Sequence, residues 1–241
     1  MDERKNIKKL TDQRLPVRKG KDLPQEDYSD LFLNPRSVKA VFRRHNFELI
    51  KFIRSYPVHL GAIAWLTDLD VIAELSSSRV ALIVQKEDFL RPDVVGSKAK
   101  LRSAYESLYS FIHSNEVPGV VQYLQSIAPF EIDPIRCVGN VNRTDSPAFP
   151  RMHNKFLIGC DYKSSEEIGP DAEGGCVIPK AVWTGSYNFT FTAATSFENA
   201  LIVEDPRVAR AFALEWSQIF ALSEPLNWSE DWVSPEYWLG T

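Results

Sequence analysis

Residues 58–86 read VHLGAIAWLTDLDVIAELSSSRVALIVQK, two apolar runs on either side of a short segment that begins at Asp68. The runs VHLGAIAWLT and RVALIVQK are strand candidates with little polar alternation, as expected of strands buried on both faces. DLDVIAELSS between them is a short helix whose first residue, Asp68, suits an N-cap. Strand–helix–strand order with apolar strands predicts parallel pairing, and hence an α/β sheet covered by helices. A chain of 241 residues has room for one large domain with short appendages.

Elsewhere the pattern is uneven. PRSVKAVFRRHNFELIKFIRSY, from Pro35 to about Arg54, carries Val38, Val41, Phe42, Leu49 and Phe52 at roughly helical spacing and predicts an amphipathic helix. Residues 97–115 predict another, and VPGVVQYLQSI a short one. PIRCVGNV, the run from Arg151, AVWTGSYNFT and NALIVED predict further strands, with a turn-rich loop, VNRTDSPAFPR, and a polar excursion, residues 162–180, between them. PRVARAFALEWSQIFAL predicts a helix capped by Asp205, with Pro206 in its first turn and Val208, Phe212, Trp216, Ile219 and Phe220 on one face.

Composition narrows the function classes. Cys137, Cys160 and Cys176 are too few and too irregularly spaced for a disulfide framework, which suits a reducing cytoplasm. Four scattered histidines lack metal-ligand spacing, so neither a metal site nor a cofactor is expected. No apolar run reaches transmembrane length. The net charge of −4 conceals an asymmetry: residues 1–21 hold eight basic against three acidic side chains, and residues 197–241 hold two against eight. The basic end is either a phosphate-binding arm or a solvated tail. The acidic C-terminal end is rich in tryptophan, which suggests docking on the body or on a partner. Three parts follow: an N-terminal arm (1–30), a catalytic body (31–222) and a C-terminal tail (223–241).

The chemistry-bearing residues cluster in the second half. In RMHNKFLIGCDY, His153 and Lys155 are two apart and share a face of an extended strand. An ammonium beside an imidazole can bind an oxyanion and then attack it or shuttle a proton. In TGSYNFT, Ser186 and Asn188 share a face likewise and offer donors to phosphate oxygens, while Gly185 permits close backbone approach to a ligand. Glu198, entering the run ALIV, is placed to orient the second nitrogen of a histidine. Each segment alone also has a structural explanation, as a strand start, a turn or a solvated carboxylate. Their occurrence in order at the mouths of consecutive strands favours a shared site.

The arrangement HNKFLIGC, GSYNFT and FENALIV resembles the phospholipase D superfamily, marked by H-x-K-x4-D followed by G-S-x-N. The resemblance extends over most of residues 35–222 and implies an α/β/α sandwich with a mixed, mostly parallel sheet and a site at the strand ends. It implies His153 as nucleophile through a phosphohistidine, Lys155, Ser186 and Asn188 as phosphate ligands, and Glu198 as the group that orients His153. It also implies a second motif histidine that protonates the leaving group. This chain has one motif, since His45, His59 and His113 lack a lysine two residues on, so a homodimer sharing one site is expected.

Cys160 stands where the motif has its aspartate, with Asp161 one position late. Position 160 lies on the face opposite Lys155 and about 23 Å along an extended strand from His153, so its role is structural, and Cys160 is expected as a small buried residue. The excursion 162–180 is expected near the site. Arg36, Lys39, Arg43 and Arg44 add to the case for nucleic acid as partner. The expected activity is metal-independent endonuclease action on DNA or RNA. The alternatives are a phospholipid phosphodiesterase and an inactive scaffold that binds a polyanion.

Overall fold

One mixed sheet organises the residues described in this computed structural model, which are 14–24, 37–90, 99–124, 129–141 and 151–239. In chain order its elements are β1 (Val38–Val41), α1 (His45–Arg54), β2 (Val58–Ile63), α2 (Leu69–Leu75), β3 (Arg79–Gln85), α3 (Ala99–Glu106), β4 (Ile135–Val138) and β5 (Lys155–Lys163). There follow α4 (Ser165–Ile168), β6 (Cys176–Gly185), β7 (Ala200–Val203), α5 (Pro206–Ala221) and β8 (Glu224–Pro225). The strand order is β1-β7-β6-β5-β2-β3-β4-β8.

Helices cover both faces. On one, Ala209, Ala213, Trp216 and Phe220 of α5 pack on Leu60, Ala62, Ile83, Phe156 and Ile158. On the other, Leu49, Phe52 and Ile53 of α1 and Val71, Ile72 and Leu75 of α2 pack on Val80, Leu82, Val84, Leu157 and Trp183. Alternate residues of one strand thus feed opposite cores, which explains why β2 and β3 are apolar apart from His59, Arg79 and Gln85. The helix caps form as expected. Asp68 accepts from the amides of Asp70 and Val71, and Asp205 from that of Arg207. The Trp216 indole donates to the Ala81 carbonyl at 3.1 Å, so α5 is fixed to the sheet without a buried unpaired donor. Among the described residues, no helix is long and apolar enough to cross a membrane.

Four local expectations are corrected. The sheet is mixed, but parallel pairing is confined to β2–β3 and β3–β4; the other five pairings are antiparallel. The links 164–175 and 186–199 among β5, β6 and β7 hold only the short α4 and one 3-10 turn, and no helix there crosses a sheet face. The helix expected from Pro35 begins only at His45, and residues 38–41 form an edge strand on β7 instead. There the open ladder of β7 outweighs a helical spacing that buries only Val41. The helix expected over 97–115 is α3 alone, because the chain beyond it bonds to the sheet: the Val80 amide donates to the Tyr109 carbonyl. The excursion 162–180 is the far turn of the β5–β6 hairpin, roughly 27 Å along β5 from Lys155 at the usual rise per residue, and so lies at the end of the sheet away from the candidate site.

The tail docks on the body. Lys86, fully buried just past β3, makes an ion pair with Glu224 at 2.5 Å, donates to the Trp232 carbonyl at 2.8 Å and lies over the Trp228 ring. Glu224 also accepts from the Ser234 amide, while burial pushes its carboxyl above the ordinary range. Arg136, fully buried in β4, is held by Ser223, Asp133 and Glu236. Of the expected N-terminal arm, residues 14–24 are described. Leu15 pairs with Leu23, and Val17 pairs with Leu239 near the C-terminal end. Removing one partner of a buried ion pair strands the other charge. Glu224→Ala should therefore lower stability by about 3 kcal/mol or more in guanidinium denaturation, and Lys86→Met combined with Glu224→Leu should recover most of it. A single variant as stable as wild type would contradict this anchoring role.

Candidate active site

Strand direction brings the candidate residues together. β5 runs antiparallel to both β2 and β6, so its first residue, Lys155, pairs with Ile63 at the end of β2, and its neighbour Phe156 pairs with Thr184 near the end of β6. Gly185 pairs with Ala200 at the start of β7. Neighbouring strands lie about 4.8 Å apart, so the segments carrying His153, Lys155, Ser186, Asn188 and Glu198 converge at one end of the sheet. The parallel strands β2 and β3 also end there.

His153 lies just outside β5 and is exposed, whereas Lys155 is buried within it. The segment before β5 is held by backbone contacts: the Met152 amide donates to Gln85 Oε1 at 2.7 Å and the Ala64 amide to the Asn154 carbonyl at 2.7 Å. Lys155 Nζ donates to the His153 carbonyl at 2.7 Å. Trp65 joins the group. Its ring meets the His153 ring edge-on at 5.4 Å, the Lys155 ammonium lies 5.8 Å from its centroid and the Arg151 guanidinium 5.9 Å, while its indole donates to Glu87 at 3.1 Å. Burial, then the Lys155 and Arg151 charges, hold the His153 imidazole below the ordinary histidine range. Burial also pulls Lys155 down to about 8; Glu198 opposes the shift and Arg151 adds to it. The site thus keeps an unprotonated imidazole beside a concentrated positive charge.

Just beyond β6, exposed Ser186 and half-buried Asn188 flank the buried Tyr187. The Ser186 hydroxyl donates to Glu198 and accepts from the Asn199 amide at 3.0 Å. Glu198 is therefore engaged with Ser186, and among the described residues no hydrogen bond joins it to His153; its tie to the rest of the site is electrostatic, through Lys155. The Asn188 amide oxygen is buried without a partner. At Gly185, a Cβ would lie 2.2 Å from the Asn199 carbonyl oxygen, so glycine here lets β7 approach β6. That is a packing requirement in addition to any contact with a ligand.

Cys160 is fully buried on the α5 side of the sheet, with Phe156 and Ile158, and burial pushes its thiol well up. The pairing register shifts between Gly159 and Cys160, yet Asp161 turns to Lys180 at 3.1 Å, at the far end of the strand. Neither residue approaches His153. The remaining histidines are committed elsewhere. His45 is buried and stacked on Tyr187, with centroids 4.8 Å apart. His59 is buried in β2 against Ser78 and pushed down to about 3 by burial. His113 caps the turn Ser114–Glu116.

Sequence patterning alone misses Trp65, Arg151, Gln85 and Glu87. They follow β2, end or follow β3, or precede β5, and meet because β5 begins where β2 and β3 end. The available signal was that ligands of open α/β sheets bind beyond the carboxyl ends of parallel strands, where Trp65 and Gln85 lie.

No protein-family model matches the chain. Its sequence is 28% identical over 216 residues to an uncharacterized protein of Acanthamoeba polyphaga mimivirus, covering 81% of this chain and 69% of that one. Among solved structures it is similar to NucT from Helicobacter pylori, at 11% identity and TM-score 0.47, covering 78% of this chain and 98% of that one. It is also similar to Nuc from Salmonella typhimurium, a phospholipase D family member, at 17% identity and TM-score 0.44, covering 78% and 96%.

The surroundings of Cys160 set a test. Cys160→Asp restores the motif letter but puts a carboxylate in an apolar core, and should cost about 3 kcal/mol or more in denaturant unfolding. A variant as stable as wild type would mean that the position is open to water or to a cation.

Proposed function

We propose that the chain is a metal-independent phosphodiester hydrolase of the phospholipase D kind, an endonuclease acting on DNA or RNA. The observation that supports it is the convergence at one sheet end of an unprotonated imidazole (His153), two cations (Lys155 and Arg151) and the side chains of Ser186, Asn188 and Glu198. Lys155 and Asn188 hold the non-bridging oxygens of a phosphodiester, and Ser186 joins them when its single hydroxyl proton turns from Glu198 to the phosphate. A ring nitrogen of His153 attacks phosphorus, a P–N bond forms, and the P–O bond to the leaving alkoxide breaks. Water then attacks the same phosphorus, the P–N bond breaks and the free imidazole returns. Charge building on the equatorial oxygens is met by Lys155 and Arg151, fixed in place before the reaction. Glu198 fixes the Ser186 hydroxyl and supports the charge on Lys155.

The leaving alkoxide needs a proton donor, and the attacking water needs a base. His45 and His59 are buried, and His113 belongs to a turn at the far end of the sheet. The second imidazole is therefore His153 of another copy of the chain, in a homodimer with a two-fold axis through the site.

Catalysis requires the attacking His153 neutral, the partner's His153 protonated and Lys155 charged. The rate should therefore peak below the ordinary histidine range and fall on either side, both limbs belonging to the two coupled imidazoles. Lys155→Arg keeps the positive charge and should leave that bell in place. His153→Ala should lower hydrolysis of DNA, RNA or anionic phospholipid by about a thousandfold or more, with wild-type activity intact in EDTA. Retained activity in His153→Ala, or loss in EDTA, would contradict the mechanism. A fully active monomer in sedimentation would contradict the shared site.

A further inference from the structure

β1 pairs with β7 so that Val41 lies opposite Ala200, which in turn pairs with Gly185. The residues that follow β1 therefore emerge at the same sheet end as Ser186 and Glu198. There the surface departs from ordinary composition. Phe197, beside Glu198, is 90% exposed, Phe42 is 60% exposed and Phe47 53%. Cations alternate with these rings. The Arg43 guanidinium lies 5.0 Å from the Phe197 centroid, and that of Arg44 lies 4.4 Å from the Phe47 centroid. Among the described residues neither arginine makes a direct ion pair; Arg44 acts on Glu48 only at longer range, and that carboxylate is bonded to Lys39.

We propose that Phe42, Arg43, Arg44, Phe47 and Phe197 form a track on which unpaired bases of a single-stranded nucleic acid stack, with its backbone leading to His153 and Lys155. The proposal deepens the phosphodiesterase assignment and rests on it for the direction of the strand. Exposed rings between guanidiniums match the two needs of single-strand binding, a face for each base and a positive charge for each phosphate. A duplex hides its base faces in its own stack, so it would gain from the arginines and little from the phenylalanines. A second copy of the chain suits the surface less well. A two-fold contact centred here would bring Arg43 and Arg44 close to their own copies.

The test uses the full chain carrying His153→Ala, so that oligonucleotides survive, and reads fluorescence anisotropy with labelled oligothymidylate and with a duplex of equal length. Phe197→Ala and Phe42→Ala should each weaken oligothymidylate binding by about tenfold while changing duplex binding little, and Phe197→Trp should preserve it. Arg43→Gln should reduce the slope of log affinity against log salt by about 0.7. In a parallel series that retains His153, an abasic oligodeoxynucleotide offers phosphates but no ring to stack, and the phenylalanine variants should cleave it at the wild-type rate. Single-strand affinity unchanged in the alanine variants, or lost equally for duplex, would overturn the track. So would a switch from dimer to monomer with affinity retained, which would make the surface a contact between copies. Absence of abasic oligodeoxynucleotide cleavage by wild type would overturn the active-site assignment and leave the binding result to decide on the track.

Discussion

Insertion of β5 antiparallel between β2 and β6 determines where each candidate group falls. Because β5 begins where β2, β3 and β6 end, the short segment from Arg151 to Lys155 lies against Ala64, Trp65 and Gln85 on one side and Gly185 and Ser186 on the other. Had β5 run parallel to β2, His153 would lie at the opposite end of the sheet from Trp65. The apolar character of β2 and β3 follows from the same layout, since the central strands are covered by α5 on one face and by α1 and α2 on the other.

The site's electrostatics rest on this packing. Two cations and a histidine share one aromatic ring, whose indole bonds to Glu87, while Glu198 binds the Ser186 hydroxyl and acts on Lys155 through its charge. Such a group repels protons from His153 and draws anions to it. Positive charge held in a partly buried place costs stability, as the depressed Lys155 titration reflects. Between about pH 8 and the ordinary lysine range the unfolded chain binds the extra proton, so raising pH through that window favours the folded state.

Much of this was legible in the sequence, for identifiable reasons. β2, α2, β3 and α5 announce themselves through apolar runs and aspartate caps, because burial and capping are local demands. Ser186 is exposed on one side of the buried Tyr187, but the chain leaves the strand at Gly185, and the Asn188 amide oxygen is buried. The parallel character of the sheet was over-read, because pairing direction depends on connection length and edge partners that spacing does not reveal. The same limit hid β1 inside a helical pattern and placed the 162–180 excursion at the wrong end of β5. Trp65 and Arg151 carry no motif, and their importance comes only from adjacency of β2 and β5. The Glu198 contact to Ser186 rather than His153 likewise depends on how closely β7 approaches β6 at Gly185.

The central claim is that His153 is a nucleophile toward phosphorus. Rapid quenching of turnover into alkali, followed by peptide mass spectrometry, tests it most directly, because a phosphoramidate survives base and is lost in acid. The account predicts a phosphoryl adduct on His153 that appears with substrate and disappears on acid treatment. Turnover at full rate with no adduct at His153, or an adduct elsewhere, would contradict it.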